Sequence, residues 1–570
     1  MGLEMERTVV VLGSGPIRIG QGIEFDYSCV HCVHALQRLG YRAVIVNNNP
    51  ETVSTDFDTG DALYFEPVTA PDVAAVVARE GAAGVMAQFG GQTAINLAEP
   101  LAAAGLRILG TSPQAIAAAE DRSRCDALLE RLGISRPQGE AVLDVAEAAA
   151  AAGRIGYPVL VRPSFVLGGR GMEIVADEAH LRSFFADAAE ANPGKPVLVD
   201  RYVHGVEAEL DVVCDGMETL VPGVMEHIER AGVHSGDSMT VYPPVGISRT
   251  VQAEMAEMAS RIAHELGVRG LMNIQFVIAD GRTHVLEVNP RASRTVPYMS
   301  KVTGVPMVAL ATYAALGGKL SEAGYSGGVW CPVPVPGARP WAGPAEWRPG
   351  VAGASASVAD YAASDGSVSR LFAVKAPVFS FQKLGRVEPA LGPEMKSTGE
   401  VLGLDSTYPG ALYKALVAAG VQFRPEGQVI LTVSDADKAA AVEIGRRLAA
   451  AGHRLGATDG THRALAAAGV PSERLNKVQE GSPNLRERLL QGQVSLMVNT
   501  PKTGAGATAD AAVIRRTCIE VGVACVTSID TASALASALE AYQDPSTTAC
   551  QTVGEYLTGI VGRSLAAQVR

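Results

Sequence analysis

Four short apolar runs, each closed by a polar, Gly- or Asn-rich turn, dominate the first 115 residues and limit what they can fold into. "TVVVLGSGPIRIGQG" runs from a buried strand through Gly13 and Gly15 toward a helix start, and "YRAVIVNNNPET" is a second strand that ends in polar residues. "GVMAQFGGQTAINLAEPL" and "LRILGTSP" repeat the unit. Strand, loop and helix in alternation predict a parallel α/β sheet whose functional edge lies at the strand C-termini. The first turn is not GxGxxG, because Ile17 and Arg18 stand in the third-glycine region, so a dinucleotide reading has little support.

The texture changes near Thr111. "SPQAIAAAEDRSRCDALLERLG" predicts one long helical stretch with a Ser-Pro start, and strand and helix signals then alternate to about Leu320. Residues 326–366, rich in Pro, Gly, Ala and Ser, hold all three tryptophans (Trp330, Trp341, Trp347) and predict a long surface insertion, a disordered excursion in preference to a docking surface. Residues 401–425 are expected to be a linker. From Glu426 a compact α/β unit follows, with strands in "GQVILTVSD", "HRLGATDGTHRAL", "SLMVNTP" and "VACVTSID".

At 570 residues the chain exceeds one core and predicts several domains. A net charge of −12 and a pI near 5.4 argue against nucleic acid as a partner. No apolar run reaches the roughly 18–20 residues of a membrane span, and "MGLEMERTVVVLG" lacks signal-peptide regions, so a cytoplasmic location is expected. Eight scattered cysteines fit a reducing compartment. "CVHCVH" places Cys29 and Cys32 on one helix face with His31 turned away, and no second ligand pair follows, so packing is favoured over zinc.

Two stretches carry chemistry. In "RPSFVLGGRGM", Arg162 ends a strand before Gly168, Gly169 and Gly171, a pattern suited to phosphate, although an ordinary turn reads equally well. It lacks the GK[ST] ending of a Walker A loop. In "LEVNPRASRTVP", Glu287 and Asn289 lie two residues apart and share a strand face, Gln275 in "LMNIQF" stands on a neighbouring strand, and Arg291 and Arg294 follow on the exit loop. Oxygen donors of this kind suit Mg2+ held between protein and nucleotide phosphates, with the arginines beside an anion. "MEHIERAGVHSGDS" adds Glu226, His227, Glu229, His234 and Asp237, an apparently solvated loop with backbone N–H groups free for phosphate.

"GPIRIGQGIEFDY", "NNNPETVSTDFDTGDALYFEP", "EDRSRCDALLERL", "VRPSFVLGGRGMEIV", "MEHIERAGVHSGDS", "GLMNIQF", "LEVNPRASRTVPYMSKVTGVP" and "LGPEMKSTGEVLG" together resemble the ATP-grasp fold. They are most similar to the C-terminal, carbamoyl-phosphate-forming half of the carbamoyl-phosphate synthetase large subunit. The tail resembles that subunit's regulatory domain, which shares the methylglyoxal synthase fold. The resemblance implies a pre-ATP-grasp parallel α/β domain (1–115), an α+β ATP-grasp domain (116–400) and a methylglyoxal-synthase-like α/β domain (426–570). It implies phosphorylation of carbamate by ATP with Mg2+ or Mn2+ and K+. It further implies a split large subunit, with the N-terminal half and the glutaminase small subunit as separate partners, in pyrimidine and arginine synthesis. A truncated frame is the plainer alternative, and a ligase with another acceptor or a non-catalytic regulatory paralogue are the competing functions.

By the same resemblance, Arg122, Arg162, Gly168 and Gly169 hold ATP phosphates. Arg201, Val203 and Glu207 take the nucleoside, and Gly232, Val233, His234 and Ser235 line the nucleotide. Gln275, Glu287 and Asn289 ligate the metal, Arg291 and Arg294 grip the acceptor, and Glu207, His227 and Ser238 form a monovalent-cation site. A nucleotide effector such as UMP or IMP would meet Thr432, Lys438, Thr458, Thr461, Asn476, Lys477 and Asn499. Pro501 replaces a family threonine there. At the family's ornithine site Glu229, Asp237 and Thr527 match, but Ala376 replaces a carboxylate.

Overall fold

The computed structural model describes residues 7–163, 167–191, 194–330, 355–363, 371–383, 387–422, 426–500, 509–541 and 551–557. The expected order of α/β, α+β and α/β units is found. In the first unit five parallel strands lie in the order Ala62–Tyr64, Arg42–Val46, Thr8–Leu12, Gly84–Met86, Ile108–Leu109. Thr8–Leu12 is buried at every position, as its unbroken apolar sequence requires of a central parallel strand. Strand order reverses between Thr8–Leu12 and Gly84–Met86, which opens a crevice at their C-terminal ends. On the helix Glu24–Arg38, Cys29 and Cys32 are fully buried and the Cys29 thiol donates to the Leu12 carbonyl at 3.3 Å. These cysteines are packing residues.

The second unit joins two sheets. A small antiparallel sheet runs Gly139–Val142, Val197–Arg201, Val159–Pro163, Glu173–Val175. A ten-stranded sheet is built around Val206–Asp215, Arg269–Ala279 and Arg282–Asn289. The third unit is a parallel sheet in the order Glu473–Leu475, Arg454–Thr458, Gln428–Thr432, Val494–Asn499, Ala524–Val526. Among the described residues no helix is long and apolar enough to cross a membrane.

Three expectations are corrected. The stretch 112–133 is two helices, Pro113–Glu120 and Arg122–Arg131, because the Asp121 carboxylate captures the Arg124 N–H at 2.9 Å and caps the second helix. The expected linker 401–425 contains the strand Gly399–Asp405, paired antiparallel with Phe372–Val378, and the helix Tyr408–Ala418. That helix buries Leu412, Ala415 and Leu416 in a core shared with the third unit, so its apolar stripe had a partner and no reason to stay extended. The insertion is anchored at its flanks: Gly328–Trp330 pairs with Thr219–Val221 and with Ser355–Ala356. The helix Val358–Ala363 packs on Arg249–Leu266, where the Tyr361 hydroxyl donates to Gln252 at 2.5 Å. Trp330 is buried, while Trp341 and Trp347 lie outside the described residues.

Candidate functional site

The small sheet, the ten-stranded sheet and the first unit meet at one cleft. On the small-sheet side Arg162, near the end of Val159–Pro163, and Arg122, at the first turn of its helix, converge on Asp200. Arg162 Nε donates to Asp200 Oδ2 and Arg122 Nη2 to Oδ1, each at 2.9 Å. Asp200 is 6% exposed, and Gly139 makes room for it, since a Cβ there would stand 1.7 Å from its Oδ1. Arg122 also pairs with Asp126 at 3.1 Å, and Asp126 with Arg136 at 2.8 Å. Two guanidinium groups are thus set side by side on one buried carboxylate, which offsets their repulsion and leaves the three groups a net positive charge that suits an anion. The turn Leu167–Gly169 follows, with Gly168 at φ 66° and Gly169 at φ 68°. A Cβ on Gly169 would meet the Pro393 carbonyl oxygen at 2.3 Å, so only glycine permits this approach.

On the large-sheet side Gln275 and Glu287 are direct partners in the antiparallel pair Arg269–Ala279 and Arg282–Asn289. A bulge at Leu286 shifts the register, so that Phe276 faces Val285. Val285 and Val288 are buried, while Glu287 is exposed and Gln275 and Asn289 are partly so. The Gln275 amide N–H donates to Ser235 Oγ at 3.1 Å, which leaves its carbonyl oxygen for a cation. A carboxylate and two amide oxygens on one open face fit the oxygen preference of Mg2+.

Arg291 and Arg294 lie where the exit loop meets the first unit. Arg291 Nε donates to Gln92 at 3.2 Å, and Arg294 Nε pairs with Glu24 at 3.1 Å. The loop is held from beneath by Asp211, which accepts the Ser293 and Thr295 hydroxyls at 2.6 Å each and the Asn273 amide at 3.0 Å. Asp200 and Asp211 were not singled out from sequence. Both lie on strands, Val197–Arg201 and Val206–Asp215, and only the pairing partners of those strands give them work.

Arg201, exposed, and Val203 and Glu207, half-buried, stand along the same edge. Gly232, Val233, His234 and Ser235 form the loop opposite. Burial first, then Arg294 and Lys375, lower His234 to about 4, so it stays neutral and accepts the Gly236 N–H at Nδ1, 3.0 Å. The expectation of free backbone N–H groups in this loop is corrected: those of His234, Gly236, Asp237 and Ser238 are taken within the protein. Its acids are not solvated either. Glu226, Glu229 and Asp237 are buried and accept backbone N–H groups of Val245 and Gly246, of Met239, and of Lys396 and Ser397.

His227 is buried between Glu207 at 3.4 Å and Glu209 at 3.5 Å. Burial opposes its charge, but the two glutamates outweigh it and raise His227 to about 9. The three residues expected around a monovalent cation therefore already contain a cationic imidazolium, while Ser238 Oγ is buried without a hydrogen-bond partner. At the expected ornithine positions, Glu229 is taken by the Thr531 hydroxyl (2.6 Å), Thr527 by the Leu391 N–H (3.2 Å), and Ala376 is buried in its strand.

The expected effector residues lie along the C-terminal edge of the third sheet. Thr432 and Asn499 end adjacent strands where the order reverses, the ligand position of an open α/β sheet. Thr458 donates to Thr432 at 3.1 Å, and Thr461 accepts the Val433 N–H at 3.3 Å. Asn476 and Lys477 follow the strand Glu473–Leu475, and Lys438 pairs with Asp435 at 2.5 Å. Pro501 lies outside the described residues. A fully buried arginine, Arg515, donates to Asn499 at 2.7 Å and to Glu388 at 2.6 Å.

The biotin carboxylase domain of Hydrogenobacter thermophilus 2-oxoglutarate carboxylase, solved with MgADP, ADP and bicarbonate, shares the fold at 17% identity and TM-score 0.52, covering 72% of this chain and 89% of that one. The biotin carboxylase domain of a single-chain bacterial carboxylase does so at 18% identity and TM-score 0.51, with the same coverage of 72% and 89%. Family models match three successive segments. Residues 5–118 match the carbamoyl phosphate synthase preATP-grasp domain, residues 121–323 the carbamoyl-phosphate synthase L chain ATP binding domain, and residues 440–527 the MGS-like domain.

Proposed function

We propose that this chain transfers the γ-phosphoryl group of ATP to carbamate, giving carbamoyl phosphate and ADP, as the second synthetic half of a glutamine-hydrolysing carbamoyl-phosphate synthetase. The observation that supports it best is the cleft itself: the Arg122–Asp200–Arg162 clamp faces the Gln275, Glu287 and Asn289 oxygens, with Arg291 and Arg294 beyond. Phosphoryl transfer needs positioning and charge neutralisation more than covalent catalysis. Arg122 and Arg162 hold the phosphates, and the Gly168–Gly169 turn covers them. Arg291 and Arg294 orient the carboxylate acceptor, so that its oxygen meets the phosphorus in line. Gln275, Glu287 and Asn289 would hold Mg2+ or Mn2+, which supplies charge neutralisation at the phosphates. UMP or IMP at the third sheet, and the separate N-terminal half and glutaminase subunit as partners, belong to the same reading; K+ beside Glu207, His227 and Ser238 would require His227 to give up the proton that its two glutamates hold. Carbamate hydrolyses readily, so it is expected to arrive from the partner half by a shielded route.

The test is the reverse half-reaction. Purified chain with Mg2+, ADP and carbamoyl phosphate should form ATP. A folded sample that forms none refutes the reading, and a sample that instead activates another carboxylate with ATP supports a different ligase.

A further inference from the structure

The strand that delivers Arg291 leaves its guanidinium loosely held. Nη1 donates to the Ala292 carbonyl at 3.0 Å, and Nη2 reaches Asn289 Oδ1 only at 3.4 Å, both within its own strand end and exit loop. Among the described residues, the hydrogen bond that leaves this loop runs from Nε to Gln92 Oε1 at 3.2 Å. Gln92 belongs to the first unit, on the short helix Gly91–Ile95 that follows the strand Gly84–Met86.

A glutamine can turn its oxygen or its nitrogen toward a guanidinium, and only the oxygen accepts. Here the choice is fixed from behind. The Gln92 amide N–H groups donate to Glu120 Oε1 at 2.9 Å and to Asn96 Oδ1 at 2.8 Å. A flipped amide would set its oxygen against the carboxylate and its N–H groups against Arg291. Burial lowers Arg291 from the ordinary arginine range, opposed by Glu287 first, Glu120 next, then Asp211 and Glu24. Glu120 is thus a counter-charge that Arg291 feels across one amide. It also closes the helix Pro113–Glu120, two residues before Arg122, whose guanidinium lies on Asp200. The corner at 120–122 therefore serves the acceptor side and the phosphate side of the cleft at once.

We propose that Gln92 and Glu120 are positioning residues for the acceptor: Glu120 orients the Gln92 amide, and the amide oxygen fixes the Arg291 guanidinium against which the acceptor carboxylate lies. This rests on the reading above, in which Arg291 grips the acceptor.

Exchanging the two side chains tests it. Gln92→Glu alone sets two carboxylates against each other and removes both donors. Combined with Glu120→Gln, it restores an acceptor for Arg291 and a donor between the two positions, and Asn96 can turn its amide to donate. In ATP formation from ADP and carbamoyl phosphate, Gln92→Leu and Gln92→Glu should each raise KM for carbamoyl phosphate about tenfold, the effect of losing one hydrogen bond to a charged group, with KM for MgADP within about threefold of the parent. The combined variant should return KM for carbamoyl phosphate to within about threefold of the parent. Equal rises in both KM values, or a combined variant no better than Gln92→Glu, overturn the proposal. A measurement without turnover separates it from the reading it rests on. In the full chain labelled with 15N-arginine, the Arg291 Nε–H resonance, assigned through Arg291→Lys, should exchange with solvent at least about tenfold faster in Gln92→Leu than in the parent. A parent that forms no ATP refutes the phosphoryl-transfer reading, whereas equal exchange in the two chains overturns the positioning role even where ATP is formed.

Discussion

Asp200 shows how much of a site can rest on a residue that touches no substrate. Its buried carboxylate balances two arginines at 2.9 Å each. Asp200→Asn leaves them facing each other unbalanced, so KM for MgATP should rise at least about tenfold and stability should fall by about 3 kcal/mol. Steady-state kinetics and thermal unfolding check the two effects separately. Glu287 is the contrasting case, since it is exposed, makes no hydrogen bond or ion pair among the described residues, and acts on Arg162 and Arg291 only through space. Glu287→Gln should therefore unfold within about 0.5 kcal/mol of the parent while ATP formation from ADP and carbamoyl phosphate is abolished. Asp211 couples the site to pH. Burial and Glu209 push it up to about 6 against its donors Ser293, Thr295 and Asn273. An unfolded aspartate titrates near about 3.9, so folding takes up a proton in between, and stability falls as pH rises from about 4 to about 6. Below about pH 6 the protonated carboxyl must donate where it had accepted. The pH profile of kcat/KM should drop there, and Asp211→Asn should remove that inflection.

At the scale of elements, the bulge at Leu286 and the turn at Gly169 decide what the cleft presents. Strict alternation along Arg282–Asn289 would put Glu287 on the same face as Thr283 and Val285, which are buried. One extra residue changes the parity and turns Glu287 and Asn289 toward the cleft. The pairing of Glu287 with Asn289 on one face was legible from their spacing, but the bulge was not, because it needs the partner strand. Gly169→Ala must tolerate φ 68° and displace the Pro393 backbone carbonyl, so it should raise KM for MgATP about tenfold and lower stability by about 1–3 kcal/mol. Comparing the kinetics with a melting curve separates loop closure from folding. The helix break at Asp121 shows the same limit: an acidic residue inside a helical pattern reads as surface until its side chain is seen to cap.

At the scale of the whole molecule, the segment 387–398 ties the third unit to the cleft. Glu388 accepts from Arg515, and the Leu391 N–H donates to Thr527. The same segment accepts the His234 N–H at Gly392, donates from Met395 N–H to the Gly168 carbonyl, and takes Arg294 on the Met395 sulfur. Asn499, an expected effector residue, shares Arg515 with Glu388. Glu388→Gln should therefore leave basal ATP formation nearly unchanged and reduce any response of the rate to UMP or IMP, measured as the shift in half-saturating effector. The strand and helix repeats, the glycine turn and the oxygen-rich strand end were legible in the sequence because each depends on spacing within one element. The linker that became strand and helix, the anchored flanks of the insertion and the carboxylates beneath the arginines were not. The sequence by itself determined which segments are strands and which residue types gather at their ends, since local periodicity and backbone preference act over a few residues. Only the tertiary structure decided which face Glu287 takes, which acids are paired and which elements share a core, because those depend on contacts between residues far apart in the chain.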